Sequence, residues 1–171
     1  MKISNFILSF IFIGWTSSIC AQDIAWTKSE MEYYSKTKQL CTFLKSNPYD
    51  TSKRKFIFEN FIFFNNVKND TIQNRINYFD MLLYTLYHFV DSVGIENLDA
   101  KPLRYFKNDS AFYKPFEEDL KWADSLVLVY YDKRTPKKPI GSLLYEPKSR
   151  KLISWVMLNM GGYLFLTPNM Y

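Results

Sequence analysis

The chain has 171 residues, 47% hydrophobic and 23% charged, a balance that suits one folded domain and excludes a disordered tail, a collagenous repeat or a coiled coil. Five Gly, two Cys and one His leave little material for phosphate-cradling loops, a disulfide scaffold or a multi-histidine centre, so neither a cofactor nor a metal site is expected. The formal charge of +5 is uneven: residues 22–100 carry nine basic and ten acidic side chains, residues 101–171 twelve and seven.

The N-terminus has three parts. Lys2 is followed by an almost wholly apolar run, Phe6 to Trp15, and then by the small and polar stretch Thr16-Ser17-Ser18-Ile19-Cys20-Ala21. That layout resembles a secretory signal peptide, and its apolar core is about half of the ~20 residues a helix needs to span a bilayer. The expectation is a signal peptide over 1–21 and a single domain over 22–171, exported to a periplasm or secreted. Ser18 and Cys20 are alternative cleavage points. Cys20 resembles the acylated cysteine of bacterial lipoproteins, although Ile19 stands where that motif takes a small residue; lipid anchoring is the alternative localisation. Removal of residues 1–21 leaves Cys41 as the sole cysteine, so no internal disulfide can form.

Thr27-Lys28-Ser29-Glu30 fits a capping box, and a helix is predicted over about 28–46, where Tyr33, Tyr34, Thr37, Leu40, Cys41 and Leu44 share one side before Asn47-Pro48 stops it. Cys41 lies within that stripe and reads as a buried small hydrophobe. Residues 53–67 are apolar all round a helical wheel and rich in strand formers; helix is the preferred reading, although periodicity does not separate the two. The clearest helix is predicted over about 71–93, with Ile72, Ile76, Phe79, Leu83, Leu86, Val90 and Val93 on one stripe. Asn77, Asp80, Tyr84, His88 and Asp91 gather opposite, and Gly94 stands where a left-handed terminal residue is wanted. A short fourth helix is expected from Pro115, with Glu117 and Glu118 at its positive end.

After Asp124 the pattern changes to short β-favouring runs: Ser125 to Tyr131, Ile140 to Glu146, Leu152 to Leu158 and Tyr163 to Thr167. The predicted fold is therefore α+β, three to four helices followed by a three- to four-stranded antiparallel meander. Leu152 to Leu158 lacks clean alternation, which implies that both faces of the sheet are covered: helices on one, and extra chain, a ligand cavity or a partner on the other. Taken as one strand, it puts Ile153, Trp155 and Met157 on one face and Leu152, Ser154, Val156 and Leu158 on the other. Trp155 is then a candidate binding residue. The basic clusters Lys133-Arg134-Thr135-Pro136-Lys137-Lys138 and Lys148-Ser149-Arg150-Lys151 fall in successive turns, at opposite ends of such a sheet, and form no continuous surface for nucleic acid.

Few residues carry chemistry. Tyr84, His88 and Asp91 are spaced i, i+4 and i+7 on one helix, where an Asp can orient an imidazole while a Tyr supplies a proton; they are the candidate catalytic group. No serine elbow, glycine loop or second ligand accompanies them. Glu117-Glu118-Asp119 matches no calcium loop and suits a helix start instead. The aromatic share of 19% comes with abundant Ile, Lys and Asn and scarce Ala and Gly, the bias of an A/T-rich gene, so it is weak evidence for a stacking platform.

One triplet is over-represented. Asp70-Thr71-Ile72, Asp91-Ser92-Val93, Asp109-Ser110-Ala111 and Asp124-Ser125-Leu126 repeat Asp, then Ser or Thr, then a small or aliphatic residue, against roughly half an occurrence by chance. They resemble the acceptors of the O-glycosylation system of some Gram-negative exported proteins, which makes Thr71, Ser92, Ser110 and Ser125 candidate glycosylation sites; Asp-Ser and Asp-Thr also start helices and turns. The function expected is that of an exported non-enzymatic domain binding an envelope protein, a glycan or an apolar ligand. The alternatives are a small extracytoplasmic enzyme using His88 with Asp91 and Tyr84, and a structural subunit of an envelope complex.

Overall fold

The computed structural model describes residues 25–46, 51–63, 69–109, 113–114, 117–159 and 163–166. The leader, with Cys20, lies outside them. Four helices, α1 (Lys28–Ser46), α2 (Thr51–Phe61), α3 (Asn69–Val93) and α4 (Glu117–Leu120), accompany six strands: β1 (Leu98–Pro102), β2 (Val127–Asp132), β3 (Pro139–Tyr145), β4 (Leu152–Ser154), β5 (Val156–Asn159) and β6 (Tyr163–Leu166). The first four strands form one antiparallel sheet in the order β1-β2-β3-β4, and β5 and β6 form a separate hairpin. The chain is an α+β domain, as its sequence predicts.

The capping box forms in full. The Thr27 N–H donates to Glu30 Oε2 at 2.7 Å and the Glu30 N–H to Thr27 Oγ1 at 3.2 Å, which satisfies two free donors at the start of α1. From there Tyr33, Thr37, Leu40 and Leu44 are buried at helical spacing. At the end of α3, Gly94 has φ +81°, and its N–H reaches Val90 O at 3.1 Å. A side chain there would be strained by that backbone, as Gly at a helix C-terminus implies.

α1 is fastened to the C-terminal half of the chain. Arg104 donates through Nε and Nη2 to the two Glu30 oxygens at 2.7 and 2.6 Å and through Nη2 to Ala25 O at 2.7 Å. Arg150 Nε donates to Glu32 Oε2 at 2.8 Å, 118 residues away. Tyr33 stacks on Tyr145 with ring centroids 4.6 Å apart, and Thr37 Oγ1 lies 2.5 Å from the Tyr145 hydroxyl.

Both faces of the sheet are covered. On one, Ala100, Leu128, Leu143, Tyr145 and Leu152 pack with buried side chains of α1, α2 and α3. On the other, Val127, Val129, Tyr131 and Leu144 pack against Leu103, Phe106, Tyr113, Leu120 and Ala123. The second face is thus filled by extra chain, the segment between β1 and β2. Consecutive burial of Val127, Leu128 and Val129 is the local sign of a strand with no solvent side.

Three elements differ from expectation. β1 pairs with β2 over Leu98↔Asp132 to Pro102↔Leu128, yet Leu-Asp-Ala-Lys-Pro has neither a β-branched nor an aromatic residue to announce it. α2 ends at Phe61, and Ile62 makes a parallel bridge to Leu152; the last part of the predicted helix, 64–67, lies outside the described residues. The predicted strand Leu152 to Leu158 is two strands of two sheets, broken at Trp155. Ser154 Oγ donates to Val156 O at 3.0 Å and accepts from Val156 N–H at 3.2 Å, which turns the backbone there. Trp155 consequently sits on the side of Leu152 and Val156, while Ile153 and Met157 pack on the other cluster. The single-strand alternation is corrected on this point.

Candidate functional site

A cavity of about 130 Å3 lies between α1, α3 and the sheet. α1 contributes Leu40 and Cys41, α3 contributes Leu86 and Val90, and Ala100 of β1, Tyr130 of β2 and Leu143 of β3 complete the wall. Each comes from the buried stripe of its helix or the helix-facing side of its strand. Two short side chains, Ala100 and Cys41, are among the residues that line the void.

Tyr34, Thr37 and Asp99, three polar members of the wall, are engaged in hydrogen bonds to the protein. Tyr34 Oη donates to Asp99 Oδ1 at 2.7 Å, and the Ala100 N–H and Tyr131 Oη reach the same carboxylate at 2.9 and 3.3 Å. Thr37 Oγ1 donates to Tyr33 O at 2.9 Å. Burial, and then the bond to Asp99, push the Tyr34 hydroxyl pKa well up. Lys38 lies at the cavity with its ammonium 5.0 Å from the centre of the Tyr34 ring, a cation–π distance. What remains for a ligand is mostly carbon.

Burial pushes the Cys41 thiol up to about 11, so it is protonated at neutral pH and behaves as a small hydrophobe rather than a nucleophile. Burial and the nearby Cys41 push the Tyr130 hydroxyl up to about 12. Neither group offers a charge.

On the other flank of α3 a groove of about 430 Å3 runs between that helix and β3 and β5. Leu86, Phe89 and Tyr130 line both cavity and groove. Tyr130 lies across Gly141, where an added Cβ would come within 2.4 Å of the Tyr130 hydroxyl oxygen; the missing side chain makes room for the ring. Trp155 lines the groove and is only 5% exposed. It belongs to the core as much as to any surface.

The catalytic and glycosylation candidates singled out by sequence fall elsewhere, unlike Trp155. Tyr84, His88 and Asp91 lie exposed on α3, with the Tyr84 and His88 rings edge to face at 4.3 Å. None of the three lines the cavity or the groove. Ser92 and Ser125 are exposed; Ser110 and the Thr71 side chain lie outside the described residues. Among the described residues no group of three or more His, Cys, Asp and Glu is placed to hold a metal ion, and no helix is long and apolar enough to cross a membrane. The cavity residues read as ordinary core in the sequence. The available signal is that Ala100 and Gly141, from the five Ala and five Gly of the chain, both fall on strands, where a small residue marks missing bulk or a close approach.

Comparison with protein-family models, with curated proteins and with solved structures finds no significant match.

Proposed function

We propose that the chain is an exported binding domain whose ligand is an apolar molecule held in the cavity between α1, α3 and the sheet. The observation that carries this reading is the void itself, about 130 Å3 walled mainly by carbon. An engineered cavity of ~150 Å3 lined by Leu, Ile and Phe stays dry and binds benzene or xenon. A natural void of that size and lining suits a ring or an aliphatic arm of about six carbons. Export is supported by the three-part N-terminus, and intact mass of protein from the native host tests it: the expected product lacks the first 18–21 residues, and retention of residues 1–15 removes the claim.

Benzene tests the cavity. On titration, the methyl resonances of Leu40, Leu86 and Leu143 should shift together and saturate. Ala100→Leu, which projects an isobutyl group into the void, should abolish those shifts and raise the melting temperature, as cavity filling does by ~0.5–2 kcal/mol. Unmoved methyl resonances in the unaltered chain would end the reading.

A further inference from the structure

The cavity and the groove meet at Leu86, Phe89 and Tyr130, and the one polar side-chain atom in that partition is the Tyr130 hydroxyl. The hydroxyls of Tyr34, Tyr113, Tyr131 and Tyr145 each have a hydrogen-bond partner. None is found for Tyr130 among the described residues. Its hydroxyl is neutral at physiological pH, so it can donate to an uncharged oxygen. Among the described residues no charged side chain lines the groove, whose members include Leu82, Ile140, Trp155 and Met157. Phe89, 40% exposed, stands at the border of both spaces on the surface of α3.

Resting on the cavity reading above, we propose that cavity and groove are two chambers of one site for a linear, uncharged lipid-like molecule, with an ester or similar acceptor midway along its chain that takes a hydrogen bond from Tyr130. An aliphatic arm of about six carbons fills the cavity of about 130 Å3. The second arm lies along the groove beneath Phe89. A carboxylate buried in the groove would find no cation among the described residues that line it, and burying an unpaired charge is strongly unfavourable.

Calorimetric titration of the full chain with hexyl hexanoate, dodecanoate and benzene tests this. Hexyl hexanoate should bind at least tenfold more tightly than benzene and more tightly than dodecanoate. Tyr130→Phe, which keeps the ring, should weaken the ester about tenfold and leave benzene unchanged. Gly141→Ala, whose Cβ drives the Tyr130 ring from its seat, should weaken the ester in the same direction, with the melting curve checking that the fold persists. If benzene binds but the ester binds no better, the site has one chamber and the proposal falls while the cavity reading stands. If dodecanoate binds more tightly than the ester, the uncharged class is wrong and Lys38 at the cavity is the head-group contact. An ester affinity indifferent to Tyr130→Phe removes the hydrogen bond, and failure of benzene as well removes both readings.

Discussion

Glu30 is a carboxylate 1% exposed in the first turn of α1, and its stability effect follows from what surrounds it. Burial alone would raise its pKa. The bonds from Arg104 and Thr27 outweigh burial and hold it below the ordinary value. A group whose folded pKa is depressed contributes stability above its unfolded value, ~4.3, and loses that contribution as pH falls through the folded value. Thermal melts should therefore fall more steeply in the natural chain than in Glu30→Gln as the pH drops below that unfolded value. Glu30→Ala, which leaves Arg104 without its carboxylate, should cost ~3–5 kcal/mol at neutral pH by denaturant unfolding. Ser142 presents the opposite case. It is 1% exposed, and its hydroxyl has no hydrogen-bond partner among the described residues, so Ser142→Ala removes a buried unsatisfied group and should leave the midpoint unchanged or raise stability by ~1 kcal/mol. A loss of more than that would reveal a bond that the hydroxyl makes in solution.

At the scale of elements, the junction between β4 and β5 decides how Trp155 behaves. Being 5% exposed and packed with the helix-side cluster, it should cost ~3–5 kcal/mol on truncation to Ala, measured by unfolding with no ligand present. A nearly unchanged melting temperature would instead make it a surface for binding. α1 and α3 were legible because a capping box, a stripe at helical spacing and a terminal glycine agree, so local and tertiary signals coincide. β1 was not, since its place is set by pairing with β2, 30 residues on at Ala100↔Tyr130 and nearer or farther elsewhere, and not by its own propensity. The break at Trp155 was hidden for a similar reason: a serine that bonds its own backbone looks, in sequence, like any small residue in a strand. The cavity was invisible because a void is a property of facing layers. Ala100 and Cys41 are 59 residues apart in sequence, and nothing local joins them.

Across the whole molecule the sheet separates two cores, one under the long helices and one under the segment between β1 and β2. Leu120→Ala, in the second core and away from the cavity, should destabilise the chain by ~2–5 kcal/mol yet leave benzene affinity as it was, whereas coupled loss of both would mean that the cavity depends on the far face. The attachment of α1 has its own consequence for the birth of the chain. Its partners Arg104, Tyr145 and Arg150 follow it by 74 to 118 residues, and at roughly 5–20 residues per second of synthesis the helix waits on the order of 6–24 seconds for the last of them. Throughout that interval the buried stripe of α1 has only α2 and α3 to pack against, and the long-range closures that lock the fold arrive near the end, which makes for slow completion. On the export proposed above, a chain whose locking contacts close this late would still be open to threading when most of it has been made.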